Sequence, residues 1–478
     1  NTRPALRVVG ADEQAPGRRF LRGDHLELGQ ALLALLSPDP NELAHDEGSI
    51  HRYAPASGLW TSLDHSLLAR SVHTFAGSVV LGARKEDKDL KINTATVEGA
   101  IDQAQHIARR VDFFADAPTG LAFSDGFAHA TATGLVWAEH SPEHRARVGY
   151  DFPCPPAPAN CPQWLTFLRQ VWPVAALDQE GEPLTEEQIH ASAVDQQAKI
   201  DLLQQFLGAC LVGIATKYQI CLVLVGEGSN GKSTLIKVAE ALFPAGSVAH
   251  VAPQELSDEY RLALLVGKRL NTVGELPTTE IMASEKFKAI VDGTIVTGRQ
   301  IRQEPVTFAP KAGHLYAANR LPPVADMSHG FWSRFVVLRF SQTFERGTNA
   351  RELWRELVEA EGSAIVGWML DGAASVLRAM GYVLPPSSRK EIADWRKKAD
   401  SVASFLDEMC DLPGAQDDRA NFWTAASTLF GAYSKWTEES KLRGVSKQTF
   451  AERMAGLGHP AKKTMTTRNY PVNLKRTL

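Results

Sequence analysis

The run Ile220-Cys221-Leu222-Val223-Leu224-Val225, followed by Gly226-Glu227-Gly228-Ser229-Asn230-Gly231-Lys232-Ser233-Thr234, decides how the rest of this 478-residue chain is read. Six apolar residues without interruption read as a strand buried on both faces, as in a parallel sheet. Leu235–Leu242 then reads as a helix. G-x-x-x-x-G-K-[ST] between a strand and a helix is a phosphate-binding loop. Its glycines let backbone N–H groups turn inward, and the helix N-terminus adds a dipole that favours anions. Gly226, Gly228, Ser229, Asn230, Gly231, Lys232, Ser233 and Thr234 are therefore the expected triphosphate cradle. Lys232, expected on a solvent-facing loop, would neutralise β- and γ-phosphate oxygens, and the Ser233 hydroxyl would ligate Mg²⁺. ATP and Mg²⁺ are the expected cofactors.

Two rival motifs share these letters. Gly226, Gly228 and Gly231 also spell the dinucleotide fingerprint G-x-G-x-x-G, but no strand ends in an acid near His250, where that fold needs one. A kinase glycine loop would require H-R-D and D-F-G further on, and neither occurs.

Downstream, from about 181 to 385, strands and helices alternate, the pattern of an α/β core. Lys268–Val273 reads as a short strand, ending at Gly274-Glu275. An acid at a strand's carboxyl end beside the phosphate loop is placed to handle metal and water. Phe287–Val291 reads as the end of a helix closed by Asp292-Gly293. Ile295–Ile301 and Pro305–Phe308 read as a hairpin with Arg299, Arg302 and Gln303 near its tip, suited to gripping phosphates. Gly313–Ala318 is a further strand, and Asn319 at its end could sense the γ-phosphate or position water. Arg334, just before the strand Val336–Phe340, has the position of an arginine finger reaching a neighbouring subunit.

Flanking regions differ in texture. Residues 1–25 are polar and punctuated by Pro and Gly, like a tail or linker. Residues 26–180 mix both periodicities: a helix over Leu26–Leu36, strands at His51–Tyr53 and Gly58–Trp60, and a long helix over Thr94–Phe114. Leu384–Ser388 reads as a linker into a last module, 386–478. From Ser440 onward the only acid is Glu452, against a series of cations that includes Lys447, Arg453, Lys462 and Lys463. A helix to Glu438, Ser446 capping a second helix over Lys447–Gly456, and a wing around Thr464–Leu474 read as a winged helix that binds DNA.

Composition sets the remaining limits. The net charge of −4 advertises no global polyanion partner, so any such surface must be local. Five cysteines form no disulfide framework and fit a reducing compartment. No apolar run is long enough to span a bilayer, and the start lacks a signal-peptide layout, so a cytoplasmic protein without membrane contact is expected. His140, His144, Cys154 and Cys161 are spaced too loosely for an ordinary zinc site, and a Pro-rich loop accounts for them better.

Taken together, the segments resemble the superfamily 3 helicases, an AAA+ type found in phages, plasmids and small DNA viruses. The carriers are the loop at 226–234, Lys268-Arg269-Leu270 with Glu275, Lys288 with Asp292-Gly293, the run Ala318–Pro322, and Phe331–Phe335 with Phe344 beyond. The stretch ahead of the loop is similar to the domain that precedes the helicase in phage and plasmid primase–helicases. It is carried by Gly58-Leu59-Trp60, Leu121–Gly126, His140–Glu143 and Cys161–Trp164. The resemblance implies an AAA+ P-loop core between an α+β N-terminal domain and a winged-helix-like module. It also implies a homo-oligomer, hexameric by the family's habit, driven by ATP along single-stranded or forked DNA beside a primase or polymerase. Lys232, Glu275, Asn319 and Arg334 would be catalytic, and Ser233 and Glu275 would hold the metal. DNA would meet Lys288, Arg299, Arg302, Gln303, Lys447, Arg453, Lys462 and Lys463. The chain departs from the family in having Gly274-Glu275 where many members have two adjacent acids. No carboxylate set for primer synthesis can be read, since Asp112 and Asp116 share a helix face without strand context. An alternative reading is an origin-binding initiator that uses ATP as an assembly switch.

Overall fold

Five parallel strands form the central sheet of the computed structural model, in the order Val248–Ala249, Leu270–Val273, Gly313–Ala318, Cys221–Val225, Phe335–Arg339. The structure describes residues 19–81, 87–131, 133–178, 180–277, 284–299, 305–324, 326, 328–344, 352–413, 423–440, 444–463 and 467–475. Cys221–Val225 is buried along its whole length, as its unbroken apolar run requires. From it the chain crosses to one edge of the sheet, whereas Phe335–Arg339 lies on the other side. Such a reversal opens a crevice at the carboxyl ends of the strands, where open α/β sheets bind ligands.

Two long helices clamp one face of this sheet. Glu186–Val212 starts with a capping box, Thr185 with Gln188, and ends at Gly213 in the left-handed region. It packs along Leu353–Ala379, and one continuous core joins both helices to Leu222, Leu224, Leu315 and Val336 of the sheet. Gly208 and Gly372 permit the close approach: a Cβ at Gly208 would stand 2.0 Å from the Met369 carbonyl oxygen. The other face is covered by a second core containing Val223, Phe287, Tyr316, Phe331 and Phe335.

Ahead of the core lies a mixed module. Helices His25–Leu36, His65–His73 and Thr94–Ile107 share one core with the strand residues Leu43 and Ile50. Two three-stranded meanders follow from Leu43–Asp46, Ser49–Ala54, Leu59–Ser62 and from Gly120–Phe123, Gly126–Thr131, Gly134–Ala138. The carriers of the N-terminal resemblance meet in space. The Trp60 indole N–H donates to the Pro142 carbonyl at 2.9 Å, and His140 lies against Gly58, whose φ is +66°. The helix Pro162–Val171 is tied to the core by Glu361, whose carboxylate accepts the Gln163 and Trp164 amides, both at 2.9 Å.

Two boundaries differ from the sequence reading. The helix expected over Thr94–Phe114 stops at Ile107. Asp112 then takes φ +56°, and Phe113 and Phe114 turn back onto Trp60; Asp112 and Asp116 therefore share no helix. The expected linker Leu384–Ser388 runs straight into a helix, Pro386–Ala399. Trp395 of that helix packs on Trp332 and Phe335, and the Ser388 hydroxyl accepts the Val337 amide. The separate C-terminal core begins at Val402, not at residue 386. It holds Ala426–Glu439, Lys447–Gly456 capped by Ser446, and the strand pair Lys462–Lys463 with Arg468–Tyr470. No helix among the described residues is long and apolar enough to cross a membrane.

Candidate nucleotide site

The glycine loop of 226–231 leaves the carboxyl end of Cys221–Val225 and enters the helix Lys232–Leu242. Two of its glycines are needed sterically. A Cβ at Gly226 would lie 2.3 Å from the Phe340 carbonyl oxygen, and Gly231 has φ +92° with Val171 at 2.6 Å from such a Cβ. Gly228 faces open space instead, as a position that a ligand approaches would. Asn230 is buried and pins the loop between Phe340 and Lys232.

Lys232 is not on a solvent-facing loop, as the sequence suggested, but only 6% exposed. Its ammonium folds back to donate to the carbonyls of Gly226 and Glu227, the latter at 3.1 Å, and to Asn230 Oδ1 at 3.0 Å. Burial pushes its pKa down, and the charge of Glu275 pulls it partly back up. The side chain curls because an ammonium with three donors must satisfy them wherever it is enclosed.

Glu275 stands exposed just beyond Leu270–Val273, and Asn319 just beyond Gly313–Ala318. The sheet order puts the Asn319 strand between the loop strand and the Glu275 strand. Asn319 Nδ2 accordingly donates to Glu275 Oε1 at 2.7 Å. An amide holding a carboxylate in this way fixes its rotamer and leaves its second oxygen for water or metal. Ser233 is exposed on the first turn of the loop helix. A hydroxyl and a carboxylate are the oxygen donors that Mg²⁺ takes, with water and phosphate completing its shell, so these residues fit that ion.

The other candidates are placed differently. Arg334 Nε donates to Asp292 Oδ1 at 2.6 Å, its Nη2 pairs with Asp292 Oδ2, and Nη1 reaches the Gly330 carbonyl. Both side chains are mostly buried, 15% and 19% exposed, so the guanidinium is engaged within its own chain. Lys288 is likewise bound, to Asp326 at 2.5 Å. Arg453 pairs with Asp400, the residue that caps Ser401–Met409, and so serves the packing of the C-terminal module. Arg299 is exposed at the end of the hairpin strand Val296–Arg299, while Arg302 and Gln303 lie outside the described residues, as do 464–466 of the expected wing. Lys447, Lys462 and Lys463 are exposed, with Lys462 over the Trp423 ring.

Sequence reasoning did not find Asp292 as the partner of Arg334 or Asn230 as a buried pin. Both lie inside motifs whose letters were noted, but the Arg334–Asp292 pair spans 42 residues and the Asn230–Phe340 bond 110, and such separations leave no local signal.

Comparison with known proteins agrees in outline with the sequence reading. Residues 75–173 match the family described as D5 N terminal like, and residues 224–334 match a family of unknown function, DUF5906. No curated protein matches the chain. Similar solved structures include an A form apo structure of the NrS-1 C terminal region, 11% identical with a TM-score of 0.42, covering 94% of this chain and 99% of that one. An apo structure of that region spanning its residues 305–718 is 11% identical with a TM-score of 0.44, covering 95% and 99%. The second family match takes in the phosphate loop, Glu275, Asn319 and Arg334 together.

Proposed function

We propose that this chain is an ATP-hydrolysing DNA helicase or translocase of the superfamily 3, AAA+ type, acting in phage or plasmid replication as a homo-oligomeric, hexameric ring on single-stranded or forked DNA. The observation that carries the reading is the loop's geometry: a buried lysine held on neutral acceptors, at sheet ends where a fixed carboxylate also stands. In this mechanism the loop amides and Lys232 bind the β- and γ-phosphates, replacing the lysine's contacts to Gly226, Glu227 and Asn230. Mg²⁺, held through Ser233 and Glu275, supplies charge neutralisation when bound. Glu275, oriented by Asn319, takes a proton from the attacking water. Arg299 of the hairpin and the exposed Lys447, Lys462 and Lys463 provide DNA contacts. A primase or polymerase is the natural partner of such an engine.

The Arg334–Asp292 pair favours a second reading, an origin-binding initiator with ATP as an assembly switch, because a paired arginine offers no finger to a neighbour. ATP turnover with and without single-stranded DNA, beside sizing with ATP and Mg²⁺, separates the two. DNA-stimulated turnover in a ring supports the translocase. ATP-dependent assembly with negligible turnover supports the initiator.

A further inference from the structure

A cleft of about 840 Å³ lies where the N-terminal module meets the ATPase core, separate from the phosphate loop. Arg147, Arg261, Lys268 and Arg299 line it, and among the described residues Glu47 is its only lining carboxylate. On a chain of net charge −4 this lining is a local reversal, with Glu47 offsetting Arg147 and Glu255 offsetting Arg261.

The cations come from separate elements, and Arg147, Arg261 and Lys268 are anchored on one side. Arg147 pairs with Glu47 and lies over the Phe114 ring at 4.3 Å. Arg261 pairs with Glu255 at 3.4 Å on the short helix Glu259–Ala263. Lys268 donates to the Gly246 carbonyl at 2.6 Å. Arg147 is committed, since both arms of its fork go to Glu47 and its side chain is only 18% exposed. Arg261 and Lys268 keep N–H groups for a further acceptor, because a guanidinium has five donors and an ammonium three. Charge is also concentrated behind the cleft. Lys311 donates to the carbonyls of Phe114 and Ala115, and burial together with Arg269 and Arg147 pushes its pKa down to about 8.

The rim is amphipathic. Tyr260 is 46% exposed and Leu264 48% exposed, and Thr61 and Ser62, which also line the cleft, are exposed. An aromatic ring beside cations and hydroxyls is the surface that single strands use, with phosphates on the cations and a base on the ring. The cleft is in the size class of small-ligand pockets, which admits unstacked nucleotides and not a duplex. Arg299 belongs both to this cleft and to the hairpin, so the two surfaces are continuous.

We propose that this cleft binds a segment of single-stranded nucleic acid, extending the strand's path from the hairpin onto the N-terminal module. The proposal rests on the translocase reading and adds the N-terminal module to its DNA track. It is tested with fluorescein-labelled oligo(dT) titrated into the full chain, comparing wild type, Arg261→Glu and Ser62→Lys. Removing one phosphate contact and adding repulsion should weaken binding about tenfold in Arg261→Glu and flatten its salt dependence. Ser62→Lys adds a cation to the cleft lining and should tighten binding roughly threefold with a steeper salt dependence, a gain that misfolding cannot produce. Unchanged affinity in both variants overturns the cleft. So does weakening by Arg261→Glu without tightening by Ser62→Lys, which is what lost folding gives. Displacement of oligo(dT) by dTMP at equal phosphate concentration would mark a mononucleotide pocket and overturn the strand. ATP turnover by the wild type is read separately: its absence sinks the translocase reading, while the affinity series still decides the cleft.

Discussion

The glycine loop of 226–231 and the turn at Asp292-Gly293 each enclose a cation, and they hold it by different means. Lys232 is bound by two carbonyls and an amide oxygen, all uncharged. Arg334 is bound by a carboxylate that takes both arms of its guanidinium fork. Both cations make charge-assisted bonds, but the carboxylate adds an opposite charge and a bidentate fork. A triphosphate competes better against neutral oxygens than against a carboxylate. The same ligand would have to break an ion pair to recruit Arg334.

The largest effect that would break this contrast is at Lys232. Lys232→Ala should abolish ATP turnover. Because the ammonium is buried, the variant should also melt lower, by an equivalent of about 1–3 kcal/mol for acceptors left unpaired. Turnover and a thermal melt check the two parts, and normal hydrolysis by the folded variant would remove the phosphate-loop assignment.

Arg334 comes next. Losing one partner of a mostly buried pair should cost about 2–4 kcal/mol of stability, measured by denaturant unfolding. Arg334→Ala and Asp292→Asn should be strongly non-additive in a double-mutant cycle. A finger acting in trans predicts something else: unchanged stability, collapsed turnover, and partial rescue when Arg334→Ala is mixed with Lys232→Ala in co-assembled rings. Rescue would show that the pair opens in the working ring.

Glu275→Gln should still bind ATP but hydrolyse it at least about tenfold more slowly, since the amide keeps the oxygen that accepts from Asn319 yet cannot take a proton. Nucleotide affinity and steady-state turnover together test it.

The smallest effect concerns Asp326. Burial raises its carboxyl, but the Lys288 and Ser328 hydrogen bonds and the Lys288 charge outweigh this and hold it below the ordinary carboxylate range. A depressed folded-state value means that this contribution is present above the unfolded carboxylate pKa and is lost as pH falls through the folded one. Stability measured across that acid limb should decline less steeply in Asp326→Asn. An identical slope would show that the pair contributes nothing.

The strand, loop and helix of 221–242 were legible in consecutive residues, and strand-end positions pointed to Glu275 and Asn319, which the structure brings within hydrogen-bond distance. The Asn319–Glu275 bond itself was not legible, because it depends on which strands are neighbours. Long helices were found, but their ends were not always. Ile107 and Val111 continue a helical spacing, yet the chain leaves the helix so that Phe113 and Phe114 can pack on Trp60. Pro385-Pro386 looked like a linker because proline opens helices as readily as it fills loops; packing of Trp395 decides which.

What the sequence by itself determined is local: a buried strand, a glycine turn, a capped helix, a basic C-terminal stretch. Each follows from periodicity, backbone freedom or side-chain charge within a few residues. What only the tertiary structure decided is occupancy. Lys232, Lys288, Arg334 and Arg453 are all cations in suggestive places. Only folding determines that the first rests on neutral oxygens and the other three on carboxylates. Those partners lie up to 53 residues away along the chain, and burial, which makes each partnership strong, is a property of the assembled core.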